Sequence, residues 1–501
     1  MRAIHLKFGM AGILALTIVV PMICAQQQSQ DQQSGQSQGT APIPAYHSPL
    51  AGLSDNGDAT TNPDEMQPDT RPLAGAQELS VGELPVTHSY WEPHFNFTTT
   101  GDSNPLTGSG QGGWTTWSTM TAGIDFHRVS GNSDLVVNYM GGGEISNDGE
   151  AGNSVMQQLG FNDKFAWRRT TLTLIDQLNY VPDITLGYGT LSGLSLPGGG
   201  SVGLEQGFLP GQTILTPQGE RLTNSFILQD DTYLTPRTSL TFVGGYSLMH
   251  YYGDNLLNMG DAIFQGGYNY QMTRKDTFAV LYRFNGYRYS NIGQSINDNM
   301  VQVSYGRRVT GKLAFQVAAG PEITFLQFPL NQTSSTGGTG GSGGSGSGGS
   351  GSATGSSTRQ FYWSLNSNLT YQLLHTGLQV SYNHGVSGGS GVLAGSVGDF
   401  VNGTASRQLT RLLGGSVNVG YARNSGLNLF GTTPTTQTFG YWSAGASLSR
   451  PFGRSFTMSL SYQLQYQNSG TAFCIGTTCE TSLTRNMISL NFDWHSRPLT
   501  Y

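Results

Sequence analysis

Charge is scarce in this chain. Asp, Glu, Lys and Arg make up 11% of its 501 residues, well below the ~25% of ordinary soluble domains. The 24 basic and 30 acidic residues leave a net charge of −6 and form no basic cluster. A nucleic-acid partner, which needs Lys and Arg gathered on one face, is therefore not expected. Beyond residue 25 no stretch offers the ~20 consecutive apolar residues of a membrane helix, so strands must carry any membrane crossing. Cysteine numbers only three, and neither a histidine nor a second cysteine pair stands near Cys474 and Cys479 to complete a tetrahedral zinc set. No metal is expected. The histidines are scattered through the leader, turns and strand ends. Acyl hydrolysis would need a serine, a histidine base and an orienting group together. The most suggestive grouping, His384 with Ser381 and Asn383, fails because alternation along a strand puts His384 on the opposite face from both. Neither enzymatic activity nor a cofactor is expected.

The N-terminus has the layout of a secretory signal over residues 1–25: Arg2 and Lys7, an apolar run from Gly9 to Val20, then Pro21-Met22-Ile23-Cys24-Ala25. Lipid attachment at Cys24 is the competing reading, and the bulky Ile23 before it argues for cleavage after Ala25. In an exported chain Cys474 and Cys479 most simply form a disulfide that staples a loop tip. Residues 26–87 form a leader. Up to about residue 70 it is rich in Gln, Ser, Asp, Pro and Thr and has little to bury, so it is expected to be flexible. The segment from Arg71 to Pro85 is more mixed. It is read as a tether, with docking inside a barrel mouth as the alternative.

What the chain does have is alternation. In Ser455 to Tyr466, Phe456, Met458, Leu460, Tyr462 and Leu464 interleave with Ser455, Thr457, Ser459, Ser461, Gln463 and Gln465. That dyad is a β-strand with one greasy and one wet face. It recurs at 89–99, 115–129, 133–142, 154–165, 169–181, 225–235, 238–252, 261–273, 276–290, 299–309, 312–327, 361–373, 377–387, 399–409, 415–426, 438–449, 455–467 and 484–495. Short turns alternate with long polar connections, of which 183–224 and the Gly/Ser-rich 329–360 are the longest, and 183–224 is long enough to narrow a lumen. The expectation is an all-β, antiparallel transmembrane barrel over 88–497, with eighteen strands and sixteen as the alternative. Both strand ends then lie in the periplasm.

If each strand keeps its dyad, Asp125, His127, Arg283, Arg308 and Glu322 face the lumen, where wall charge tunes ion selectivity. Asp125 and His127 share a face and could pair. Trp117, Tyr251, Tyr252, Tyr289, Trp363 and Trp442 suit interfacial girdles. Asp176 breaks the rule, because Leu172, Leu174, Leu178 and Tyr180 put it on the greasy face; a position near the rim or a bulge would accommodate it. Ile488, Leu490, Phe492 and Trp494 give the last strand the aromatic-rich face that signals membrane insertion, although the chain runs on to Tyr501. Either Tyr501 serves as the terminal aromatic in another register, or residues 495–501 hang free in the periplasm.

The segments Arg71-Pro-Leu-Ala-Gly-Ala-Gln77, Ile175-Asp-Gln-Leu-Asn-Tyr-Val-Pro182, Gly267-Tyr-Asn-Tyr-Gln-Met-Thr-Arg-Lys-Asp276, Gly385-Val-Ser-Gly-Gly-Ser-Gly391, Gly420-Tyr-Ala-Arg-Asn424 and Ile488-Ser-Leu-Asn-Phe-Asp-Trp494, in that order, resemble a set of outer-membrane β-barrel proteins of Gram-negative soil bacteria, the acidobacteria. The resemblance spans nearly everything after residue 70. It implies a fold and an outer-membrane location, and no substrate or catalytic residue. A passive porin-like channel for small solutes is the leading expectation, and a structural or adhesive surface barrel with a closed lumen is the second. A soluble secreted β-protein is the third. Expected partners are outer-membrane lipid, the barrel-assembly machinery and further copies of the chain.

Overall fold

The computed structural model describes residues 73–74, 89–103, 114–147, 153–181, 220–252, 256–327, 357–389, 393–427, 438–475 and 478–501. For Val181 and residues 470–475 and 478–481 only the backbone is described. The expected signal peptide, most of the expected leader, and the connections 183–219 and 329–356 lie outside these residues.

The alternating segments form the strands β1 (Tyr90–Asp102), β2 (Thr115–Ser130), β3 (Ser133–Ser146), β4 (Ser154–Ala166), β5 (Thr170–Val181), β6 (Arg221–Thr235), β7 (Thr238–Tyr251), β8 (Met259–Gln271) and β9 (Asp276–Tyr289). They continue as β10 (Gln294–Arg308), β11 (Leu313–Gln327), β12 (Ser357–Gln372), β13 (Thr376–Ser387), β14 (Ser396–Thr410), β15 (Leu413–Gly426), β16 (Thr438–Phe452), β17 (Phe456–Ile475) and β18 (Thr478–His495). Each pairs antiparallel with its sequence neighbours, and β1 pairs with β18 from His94↔His495 to Asp102↔Met487. The sheet is therefore a closed eighteen-stranded barrel, and every expected strand is present. Closure leaves no open sheet edge.

Each even-numbered strand from β2 to β16 joins the next through two to four residues, which places the short turns at one rim together with the start of β1 and the end of β18. In the two-residue turn after β2, Gly131 adopts φ 57°, the left-handed region that such hairpins require. The opposite rim carries the long connections. At that rim β17 and β18 run on as a hairpin to Ile475 and Thr478, so Cys474 and Cys479 stand directly opposite each other across two paired strands. Their thiols are outside the described side chains. Thiol titration of unreduced, denatured protein is expected to find neither residue free; two reactive thiols from this pair would refute the disulfide.

The residues after Trp494 do not hang free. A two-residue strand β19 (Leu499–Thr500) returns to pair with Tyr90 and Trp91 of β1, and the Tyr501 ring stacks on Phe126 at 6.0 Å. Tyr501 thus lies in line with the end of β18. The expected free tail is corrected, because β1 extends past His94 and offers unpaired backbone groups that the last residues satisfy.

The two faces separate cleanly. On β17, Leu460, Tyr462 and Tyr466 point outward and are exposed, while Ser459, Gln463, Gln465 and Gln467 point inward and are buried. The same sorting leaves Phe95, Met120, Tyr139, Phe226, Phe264, Val303, Val380 and Val419 exposed on the exterior. Asp176 also points outward, but neither a rim nor a bulge explains it, since β5 pairs with β4 and β6 without a register shift around it. Its Oδ1 instead accepts a hydrogen bond of 2.8 Å from the Asn224 amide on β6. The expected aromatic girdle is partly corrected. Tyr252, Trp363 and Trp442 are exposed, but Trp117, Tyr251 and Tyr289 are buried inside the barrel.

Candidate functional site

The candidate site is the barrel interior, built from the inward half of each dyad. Asp125 and His127 both project inward from β2, yet they do not pair with each other. Residues two apart on a strand are ~7 Å apart, and each is nearer to a cross-strand partner. Asp125 accepts from the Asn138 amide of β3 at 2.6 Å and lies 3.4 Å from Nδ1 of His94 on β1. His127 meets Asp134 at 2.5 Å, and His495 meets Glu92 at 2.7 Å. Three histidine–carboxylate contacts thus line the wall formed by β18, β1, β2 and β3 near the short-turn rim.

Across the lumen, β8 to β11 place Arg283, Asp261, Asp298 and Glu322 inward, all buried. Arg283 donates from Nε to Gln265 at 2.9 Å. Thr324 donates to Asp298 at 2.8 Å, and the backbone N–H of Val386 donates to both oxygens of Glu322 at 3.2 Å. Asp261 stands opposite Tyr287 in the β8–β9 pairing, and neither of its oxygens has a hydrogen-bond partner among the described residues. Arg308 lies at the short-turn end of β10 on the inward register. Above Asp261, towards the long-loop rim, the buried apolar residues Met249, Tyr251, Leu256, Met259, Tyr287, Tyr289, Ile296 and Leu326 pack together inside the barrel. The Tyr289 hydroxyl donates to the carbonyl of Gly388, drawing the start of the β13–β14 connection onto this cluster.

The leader enters the same space. Ala74 is fully buried, packed with Ala279, Leu281 and Met300, and Leu73 lies beside them. The Ala74 N–H donates to Oδ1 of Asn269 at 2.8 Å, and its carbonyl accepts from Nε2 of Gln265. The expectation that this stretch is only a tether is corrected at these two residues. Their polar backbone would be costly to bury unpaired, and Asn269 and Gln265 supply both partners.

His384, set aside as a base, does lie outside the barrel: its ring stacks on Trp363 at 4.0 Å and its Nδ1 meets Asp399 at 2.8 Å. Leu490, Phe492 and Trp494 take the outward register of β18, with Phe492 stacked on Phe97 at 6.2 Å. Sequence reasoning did not single out Asp261, Asp298, Asn269 or Gln265, although each falls on the inward half of its dyad. Nor did it find Asp102 and Arg485, which form a buried ion pair of 2.5 Å where the first and last strands meet. No sequence signal ties residues 383 positions apart. Among the described residues no group of His, Cys, Asp and Glu is arranged to hold a metal ion.

No family model matches the chain, and no curated protein matches it. Among solved structures it is similar to OpdQ of Pseudomonas aeruginosa, at 9% identity over 83% of this chain and all of that one, with a TM-score of 0.41. It is similar to OccAB3 of Acinetobacter baumannii, at 11% identity over 82% of this chain and all of that one, with a TM-score of 0.41. It is also similar to the ferric-catecholate import receptor Fiu of E. coli, at 10% identity over 83% and 82% of the two chains, again with a TM-score of 0.41. Nothing about a solute transfers to this chain from these likenesses.

Proposed function

We propose that the protein is an outer-membrane channel for small solutes, passive in that no energy-coupling element is invoked. The observation that carries this is the inversion of the two faces. A soluble β-protein buries its apolar face, whereas this barrel exposes Phe, Leu, Val, Tyr and Trp around its exterior and keeps Ser, Thr, Gln, Asn and charged side chains inside. Only surrounding lipid makes that arrangement favourable. In this setting the long connections face outward, both strand ends face the periplasm, and the outward face of Leu490, Phe492 and Trp494 is what the barrel-assembly machinery would meet. Reconstitution into planar bilayers is expected to give discrete conductance steps, and folded protein is expected to migrate differently from boiled protein in detergent gels. Partition into the aqueous phase on membrane extraction would refute the reading.

A second reading, a closed structural barrel, is favoured by the apolar cluster inside the long-loop rim and by Leu73 and Ala74 within the lumen. It predicts a heat-modifiable barrel that stays electrically silent even when those elements are removed.

The lipid setting makes a further prediction at Asp176. An acidic side chain facing hydrocarbon is disfavoured, and Asn224 offsets only part of the cost. Replacing the pair, Asp176→Leu with Asn224→Leu, is expected to stabilise the barrel by about 1–2 kcal/mol in denaturant unfolding from lipid vesicles. Destabilisation would mean that protein, not lipid, covers this face.

A further inference from the structure

The contacts of Leu73 and Ala74 amount to a recognition site for a peptide unit. Ala74 presents one N–H and one C=O, and the wall answers each with a side-chain amide whose orientation is fixed from behind. Asn269 donates its Nδ2 to Thr241 Oγ1 at 3.1 Å, and Thr241 donates in turn to Asp231 at 2.5 Å. That chain leaves the carbonyl oxygen of Asn269 facing the Ala74 N–H. Gln265 accepts from Arg283 Nε at 2.9 Å, which leaves its Nε2 to donate to the Ala74 carbonyl. Reversing either amide would set donor against donor or acceptor against acceptor. Thr241, Asn269, Gln265, Asp231 and Arg283 are all buried, so the two amides are held in place.

The site also selects for size. A Cβ placed on Gly267 would fall inside the van der Waals radius of the Ala74 methyl, so the wall has given up a side chain to admit the segment. The reverse holds as well: a side chain larger than alanine at the seated residue would meet β8 backbone and the apolar floor of Ala279, Leu281 and Met300.

We propose that the lumen wall around Gly267 is a binding site for short peptides with alanine or glycine at the central position, and that residues 73 and 74 of the chain's own leader are its resident occupant. The proposal rests on the channel reading above. In that setting residues 73 and 74 hold the site, and a solute of the same chemistry competes for it. The wall reads peptide backbone and a small side chain, so peptides with a small residue at that position compete best.

The test uses the full chain. Ala74→Leu removes the occupant by size without altering the barrel wall, and heat-modifiable migration reports whether the barrel still folds. A fluorescent heptapeptide of the sequence Arg71 to Gln77 is then titrated onto this variant in detergent, and its effect on conductance is followed in planar bilayers. The expected results are binding to the Ala74→Leu chain and negligible binding once Gly267→Leu is added. Asn269→Leu is expected to weaken binding about tenfold, the worth of one buried hydrogen bond. A peptide with leucine at the alanine matching Ala74 should not bind. In bilayers the heptapeptide should reduce the conductance of the Ala74→Leu chain, since it occupies part of the lumen wall. Conductance without peptide binding would overturn the peptide site and keep the channel. Binding without conductance in any variant would overturn the channel and keep the site. Equal binding of the alanine and leucine peptides would overturn the proposed selectivity.

Discussion

Replacing Arg485 with alanine is expected to cost the barrel about 3–5 kcal/mol, the usual penalty for leaving a buried charge without its partner. Arg485 and Asp102 lie 2.5 Å apart and are almost wholly shielded from solvent at the junction of β18 with β1. Strands β2 to β18 are each held to at least one neighbour by a connection of two to four residues, whereas this junction joins residues about 400 positions apart and receives no help from local connectivity. A weakness here opens the cylinder into a sheet with two free edges. The measurement is the midpoint of denaturant unfolding, followed by the gel shift between folded and unfolded forms. The double replacement Arg485→Met with Asp102→Leu should recover most of the loss, because apolar residues of similar volume leave no charge behind. Equal loss in the single and double variants would show that packing, not the unpaired carboxylate, sets the cost.

The second large effect concerns the ion selectivity of the proposed channel. Near the short-turn rim Glu92, Asp125 and Asp134 project inward, each contacted by a histidine rather than by a full-time cation. Deeper in, Asp261, Asp298 and Glu322 outnumber Arg283 and Arg308 on the wall of β8 to β11. A lumen lined mainly by carboxylates concentrates cations, as rings of acidic side chains do in cation channels. Replacing Glu92 with Gln and both Asp125 and Asp134 with Asn is expected to lower the cation-to-anion permeability ratio by about tenfold, the lower end of the enrichment a cleft of one charge sign produces. Reversal potentials under a salt gradient measure it, best at low salt, where screening is weakest. An unchanged ratio would place the selectivity step deeper, at Asp298 and Glu322.

How far the sequence reached can be read from particular residues. The strand ranges came through because the dyad is a local property: which half of Phe456, Thr457, Met458 and Ser459 faces outward follows from neighbours two positions away. The inward placement of Asp125, His127, Arg283 and Glu322 follows from the same rule. Their partners did not follow. His127 finds Asp134 rather than Asp125, because cross-strand neighbours on one face are closer than residues two apart on one strand. The girdle reading failed at Trp117, Tyr251 and Tyr289 for a related reason. Being near a strand end says that an aromatic is close to a rim, and only its parity says which side of the wall it occupies.

The sequence by itself determined the closed antiparallel barrel, its even strand number and its greasy exterior, because period-two alternation and short turns act over a few residues. Tertiary structure alone decided what lies within. The seam between Asp102 and Arg485, the apolar cluster under the long-loop rim and the docking of Ala74 against Gly267 each join distant positions across the lumen or its wall. Such contacts depend on strand stagger, a global quantity that no local window of sequence encodes.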